Sequence, residues 1–340
     1  MKSKWTTAIA AAAIVFSSYS ASAAKTVEAI KSRGELICGV STGLGGFSLP
    51  DSRGKWTGLD VDICKALAAA ILGSSYKVKY IPLSTQQRFT ALQSGEVDVL
   101  SRNTSWSLTR DTALGLNFTA VTYYDGQGFM VPKALEVKSA KELDGATVCI
   151  QPGTTSELNL ADYFRANSMT FTPVVIESLQ ELNAAFFAGR CDAYTTDASG
   201  LASTRLNDAP KGKSDDYIIL PEIISKEPLG PVVRHGDDQF LDIVKWVIFG
   251  LVEAEEFGIT SSNVREMASS SKNPNIKRLL GTNPGMGRNL GLDEAWIVNA
   301  ILAVGNYGEI WERNIPPLGL SRGLNKLWSN GGIMYSPPVR

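Results

Sequence analysis

One internal repeat constrains this 340-residue chain more than any other feature. Ser84–Asn103 (STQQRFTALQSGEVDVLSRN) can be laid over Ser178–Asp197 (SLQELNAAFFAGRCDAYTTD) at a constant offset of 94. Ser84 then matches Ser178, Gln86 matches Gln180, Ala91 matches Ala185, Gly95 matches Gly189 and Asp98 matches Asp192. Each copy carries apolar residues at helical spacing, a glycine where the helix would stop, and a short strand beginning near the Asp. Both copies also end alike, in the polar clusters Asn103-Thr104-Ser105 and Thr195-Thr196-Asp197.

A second correspondence points the same way. Glu35–Ser41 and Ala146–Gln151 are both strand-like and both run into small, polar, glycine-bearing segments. In the second, Gly153-Thr154-Thr155-Ser156-Glu157 opens a helix, whose free N–H groups and positive dipole end suit a carboxylate; an ordinary Ser/Thr cap would use the same residues. Two α/β units with polar strand ends suggest a cleft between lobes. The run SRNTSWSLTRDTALG (101–115) spends almost nothing on packing where a strand ends. Hydroxyls and an amide can satisfy a small polar ligand, and Arg110 can grip a carboxylate with two prongs. A polar turn whose Arg pairs with a surface acid is the competing account.

The N-terminus reads as an export signal, with basic Met1-Lys2-Ser3-Lys4, an apolar run from Ala8 to Phe16, and Ala21-Ser22-Ala23 as the small-residue cleavage pattern. Removing 1–23 takes Lys2 and Lys4 with it and leaves 31 basic against 34 acidic residues, a formal net charge of −3. No basic stripe for nucleic acid and no polybasic membrane patch remains. No later segment reaches the roughly 18 uninterrupted apolar residues of a membrane span, Ile243–Leu251 being broken by Lys245. The remaining length is too great for one ordinary core, so two domains are expected. Export also favours disulfides over metal sites for Cys38, Cys64, Cys149 and Cys191, which show no C-x-x-C spacing. Four cysteines allow three pairings and the sequence does not choose among them; the pairing adopted is Cys38–Cys64 with Cys149–Cys191, each closing a loop inside one half of the chain.

Taken in order, Gly58–Leu67 (GLDVDICKAL), Arg88–Asp98 (RFTALQSGEVD), Thr109-Arg110 leading to Leu116–Thr119, Gly153-Thr154-Thr155 and Gly189–Asp197 (GRCDAYTTD) resemble the polar amino-acid periplasmic binding proteins of ABC importers. The resemblance is nearest the general L-amino-acid-binding branch. It implies an α/β, two-lobed periplasmic binding protein fold, each lobe a mostly parallel sheet flanked by helices, with two crossing hinge strands. Lobe one would comprise 24–130 and 230–340, including an extended C-terminal helical region, and lobe two 131–229. The crossings would be Tyr124–Pro132 and Glu227–Val233, which are rich in glycine or proline. The implied protein is a periplasmic monomer that binds an L-amino acid and delivers it to a membrane permease, without cofactor, metal, nucleic acid or membrane insertion.

By position, the resemblance gives Arg110 the ligand's α-carboxylate and Asp197 its α-ammonium, the latter kept ionised by a neighbouring cation. Asn103 and Ser105 would hold the head group from lobe one, and Thr154 and Thr155 the carboxylate from lobe two. Arg88 aligns with a side-chain-recognising arginine of acidic-amino-acid receptors, which favours glutamate and aspartate; a solvated helix position is the alternative. Ser41 and Leu44 stand where the family often places an acid or an aromatic, and the three glycines of Ser41–Phe47 would leave room for varied side chains.

Residues 238–257 and 293–310 read as amphipathic helices, with Trp296, Trp311 and Trp328 as packing residues. Gly285–Gly291 (GMGRNLG) has the wrong glycine spacing, and no preceding strand, for a dinucleotide fingerprint. The rival reading is a dehydratase-like periplasmic enzyme on the same fold, needing an acid or base poised in the cleft. The sole histidine, His235, stands beside Gly236-Asp237-Asp238, where a turn or helix start is expected.

Overall fold

Two five-stranded sheets carry the α/β alternation, and the repeat supplies equivalent pieces to each. The computed structural model describes residues 26–340, so the export signal expected at 1–23 lies outside the described residues. The first sheet begins with β1 (Leu36–Val40), passes a small hairpin of β2 (Leu49–Pro50) and β3 (Trp56–Thr57), and continues through β4 (Val78–Pro82), β5 (Val99–Leu100) and β6 (Leu116–Phe118). After β7 (Tyr123–Asp125), β8 (Gln127–Pro132) enters the second sheet, which adds β9 (Thr147–Ile150), β10 (Thr172–Val175), β11 (Ala193–Asp197) and β12 (Tyr217–Ile219). The chain returns through β13 (Glu227–Leu229), paired antiparallel with β7, and rejoins the first sheet as β14 (Val232–Arg234).

The spatial orders are β4-β1-β5-β14-β6 and β10-β9-β11-β8-β12. Helical crossovers make β4, β1 and β5 parallel, and likewise β10, β9 and β11. In each sheet the single reversed strand is the one that has just crossed from the other lobe, β14 in the first and β8 in the second. The first crossing is thus confined to the few residues around β7, and Gln127–Pro132 already belongs to the second sheet.

The matched residues of the repeat do matched work. Ser84 Oγ accepts from Gln87 N and Ser178 Oγ from Glu181 N, each at a helix start. The helices Arg88–Ser94 and Leu179–Phe187 bury Ala91 and Ala185 and are followed by Gly95 and Gly189, whose φ values of 80° and 77° suit glycine. Asp98 then accepts the backbone N–H of Ile37 in β1, and Asp192 that of Thr147 in β9. Each carboxylate ties the arriving strand to the first parallel strand of its own sheet. The disulfides fasten the same two strands to other elements: Cys38 of β1 bonds Cys64 of the helix Leu59–Leu72, and Cys149 of β9 bonds Cys191, just before β11.

The C-terminal region packs into the first lobe's core. The helix Asp238–Glu256 buries Phe240, Ile243, Val244, Val247, Ile248 and Leu251 in one cluster with Leu59, Ile63 and Leu67. The helix expected at 293–310 is two, Trp296–Val304 and Tyr307–Asn314. Gly305 adopts φ 82°, and Asn306 starts the second helix by exchanging hydrogen bonds with Glu309 in a capping box. Trp296 and Trp311 are buried, but Trp328 is 54% exposed, its indole N–H donating to Glu256. The GMGRNLG segment forms the short helix Met286–Leu290, whose start is filled by the chain's own acid: Glu294 accepts from the N–H groups of Gly285, Gly287 and Arg288.

Candidate functional site

The carboxyl ends of the parallel strands of both sheets face one another across a cleft lined by polar residues of both lobes. From the first lobe, Ser41 follows β1, Asn103 and Ser105 follow β5, and Arg88 and Arg110 come from the helices Arg88–Ser94 and Leu108–Ala113. From the second, Thr154 and Thr155 start the helix that follows β9, and Asp197 ends β11. All eight residues singled out in the sequence line this one cleft. His235 does not; it sits exposed in the turn after β14.

Local geometry explains several placements. Asn103 has φ 24°, an uncommon backbone that Asn tolerates better than most residues. Its N–H donates to the buried Asp60 carboxylate (2.8 Å), which fixes the strand end. Arg110 Nη1 donates to its neighbour's carbonyl, Ser105 O (3.0 Å). Thr154 Oγ1 is the helix cap, accepting from Glu157 N and donating to Gln151 O. Thr155 Oγ1 donates to Glu227 (2.8 Å) and lies 3.3 Å from Ser105 Oγ. The lobes touch across the cleft, with Arg88 Nη2 and Arg110 Nη2 both 3.4 Å from Gly153 O, and Ser84 Oγ donating to Glu177 (2.5 Å).

Charge is segregated across the cleft. Arg88 is buried rather than solvated, and a further guanidinium that the sequence reading passed over, Arg102, lines the cleft beside it. Burial pulls all three arginines below the usual guanidinium range, with the neighbouring arginines adding to the effect on Arg88. Asp197 faces them. Burial raises its carboxyl well above the ordinary value, and the carboxylates of Asp125 and Glu227 push the same way, against the Asn103 amide and Arg88. The expectation that a cation governs Asp197 is therefore corrected: acids outweigh Arg88 around it. Asp125 and Glu227 are register partners on β7 and β13, the two crossings, and burial pushes Asp125 up to about 6. Arg102 was visible beside Asn103 in the polar run; the Asp125–Glu227 pairing has no sequence signal, because only strand register brings the two together.

The loop Ser41–Phe47 also differs from expectation. Ser41 and Leu44 line the cleft, but two of the three glycines, Gly45 and Gly46, accommodate protein. A Cβ on Gly45 would stand 2.4 Å from Asn207 of the second lobe, and one on Gly46 2.6 Å from Leu318. They permit close approach of lobe two and the C-terminal segment instead of leaving space for a ligand.

The chain matches the bacterial extracellular solute-binding proteins, family 3, over residues 36–260. Over 100% of both chains it is 59% identical to the general L-amino acid-binding periplasmic protein AapJ of Rhizobium johnstonii. It is 57% identical to the glutamate/glutamine/aspartate/asparagine-binding protein BztA of Rhodobacter capsulatus, over 100% of this chain and 99% of that one. Among solved structures, an ABC transporter/periplasmic binding protein from Brucella ovis with glutathione bound superposes with a TM-score of 0.91 at 54% identity, covering 94% of this chain and 100% of the other. These relatives share the region beyond residue 260 that the family match leaves out.

Proposed function

Because the chain belongs to the bacterial extracellular solute-binding proteins, family 3, we propose that it captures L-amino acids, glutamate and aspartate among them, in the interlobe cleft and delivers them to the permease of an ABC importer. The observation that carries this reading is the opposition of buried guanidiniums on one wall and a buried carboxylate on the other, the complement of a zwitterion. In this reading Arg110 grips the α-carboxylate and Asp197 receives the α-ammonium. Asn103, Ser105, Thr154 and Thr155 complete the head-group contacts, and Arg88 meets an acidic side chain, with Ser41 at the far end. Charge-assisted hydrogen bonds contribute about 1.5–3 kcal/mol each, and a micromolar ligand needs roughly 8 kcal/mol. A handful of such contacts suffices after ordering costs.

The proposed mechanism is capture and release without chemistry. Lobe one and lobe two, the expected boundary at 130 moved back so that all of β8 (Gln127–Pro132) lies in lobe two, close about the paired crossings β7 and β13, and ligand contacts made only in the closed form shift the open–closed equilibrium. The receptor would act in the periplasm as a monomer after cleavage near Ala23. The named ligands of AapJ and BztA support an amino acid as cargo. Protein unfolded to strip carried-over ligand, refolded with its disulfides intact and titrated calorimetrically with the common L-amino acids should bind several at micromolar or tighter Kd. Absence of heat with every amino acid would defeat the proposal.

A further inference from the structure

Arg110 and Asp197 alone would meet a zwitterion's two charges, and the cleft wall holds two more cations than that. Arg88, Arg102 and Arg110 are 3%, 4% and 8% exposed, and among the described residues none of them forms an ion pair. Desolvated guanidiniums held side by side are costly unless an anion joins them. The hydrogen-bonding inventory says where that anion would sit. Arg88 and Arg110 share the Gly153 carbonyl at 3.4 Å and stand over the Phe89 ring at 4.8 and 5.2 Å. Arg102 is anchored elsewhere, its Nε donating to Leu83 O (3.1 Å), which leaves its Nη groups without a hydrogen-bond acceptor among the described residues. The charges of both Arg102 and Arg110 bear on Arg88, that of Arg102 the more. Arg88 Nε and Thr85 Oγ1, on residues 97% and 96% buried, have no hydrogen-bond partner among the described residues. Both residues line the cleft.

Resting on the amino-acid-receptor reading, we infer that Arg102 is a specificity-determining residue: together with Arg88 and Thr85 it holds a second carboxylate, on the ligand's side chain, and so selects dicarboxylic over neutral amino acids. Arg110 remains with the α-carboxylate. Asp60, the acid whose charge acts most on Arg102, accepts from Asn103 N and forms no ion pair with Arg102 among the described residues.

The test is a calorimetric comparison of glutamate and glutamine, near-isosteric ligands that differ in the side-chain charge, on stripped and refolded protein. Wild-type protein is expected to favour glutamate by at least about 10-fold. Arg102→Met should weaken glutamate roughly 30-fold, about one charge-assisted contact, while glutamine stays within about 3-fold. Arg102→Lys, which keeps the charge and loses the fork, should fall between. Glutamine binding in the same variant reports whether the cleft is intact. Equal losses for both ligands, or unchanged glutamate binding, would overturn the inference and leave the receptor reading standing. A variant that fails to fold passes the decision to the wild-type ratio and to Arg102→Lys. Wild-type protein indifferent to the glutamate–glutamine exchange would overturn the inference by itself, and wild-type protein that binds neither would overturn the receptor reading too.

Discussion

The two lobes share one plan and differ where they face each other. At the offset of 94 that aligns the repeat, the scaffold residues are conserved in role: Asp98 and Asp192 each close a sheet, and Gly95 and Gly189 each stop a helix. The same offset relates residues of the cleft walls. Arg102 stands opposite Thr196 in the alignment, Asn103 opposite Asp197, and Arg110 opposite Thr204, and all six line the cleft. Arg88 corresponds to Leu182, a fully buried core residue of the second lobe. One copy has placed cations where the other keeps hydroxyls and a core leucine, and an amide where the other keeps an acid. The shared residues build two lobes; the differing ones make the walls complementary in charge, as the proposed zwitterionic ligand would require.

Making the walls alike is therefore the most damaging change. Arg110→Thr copies the second lobe's residue into the first and removes a buried guanidinium from an anion site, an alteration of the kind that costs roughly 2–5 kcal/mol. Amino-acid affinity should fall about 1,000-fold by calorimetry, with the melting temperature of the free protein little changed; retained micromolar binding would dismiss Arg110 as the carboxylate clamp. Scaffold changes should instead act on stability alone. Replacing either disulfide by serines should cost about 3–4 kcal/mol in the chain-entropy account, with Cys149–Cys191 slightly the more costly because its cysteines are 42 residues apart against 26. Denaturant titrations that found one bridge dispensable would mean that the two lobes are not held by equivalent means.

The scaffold was legible in the sequence because local rules write it. Helix spacing, a C′ glycine and an Asp at the strand start recur twice, and the eight candidate residues that the resemblance named all line one cleft. What was not legible depends on partners distant in the chain. The Asp125–Glu227 pair exists only through the register of β7 with β13. The glycines of Ser41–Phe47 take their meaning from Asn207 and Leu318. Arg102 lay in plain view, but a basic residue in a polar run ordinarily signals solvent, and its burial is a tertiary fact.

Arg88→Leu sharpens the contrast, since it gives the first lobe the residue that the second uses for packing. A buried charge without a partner is costly to desolvate, so exchanging it for an apolar side chain should stabilise the ligand-free protein. The ligand-free variant should melt higher than wild type, and its glutamate affinity should fall about 10-fold or more while alanine binding holds. A lower melting temperature would show that Arg88 supports the fold through its contact with Gly153 rather than being held for an anion.

The smallest effect separates the acids of the cleft from those of the scaffold by pH. Burial raises the carboxyls of Asp60 to about 7 and Asp125 to about 6, and that of Asp197 well above its usual value. A folded-state carboxyl pKa above its unfolded value favours the protonated form, so this contribution to stability is full below about pH 4 and is lost as pH rises through 6 to 7. Asp192 of the scaffold has the opposite sign: the Thr147 hydroxyl and N–H lower its pKa, and its contribution is lost on acidification below the usual carboxylate range. A ligand ammonium beside Asp197, whose carboxyl is pushed up by burial and by the charges of Asp125 and Glu227, would stabilise its charged form, so binding should release protons. Affinity should then rise by a few-fold up to about tenfold between pH 4.5 and 7, and calorimetry in buffers of different ionisation enthalpy should register proton release. The guanidiniums that face Asp197, those of Arg88, Arg102 and Arg110, are not deprotonated in proteins, and His235 lies outside the cleft, so the carboxyls carry the dependence. A flat affinity from pH 4.5 to 7 with no proton release would mean that the acidic wall is ionised before ligand arrives, and that lobe two meets the ammonium with a fixed charge as lobe one meets the carboxylate.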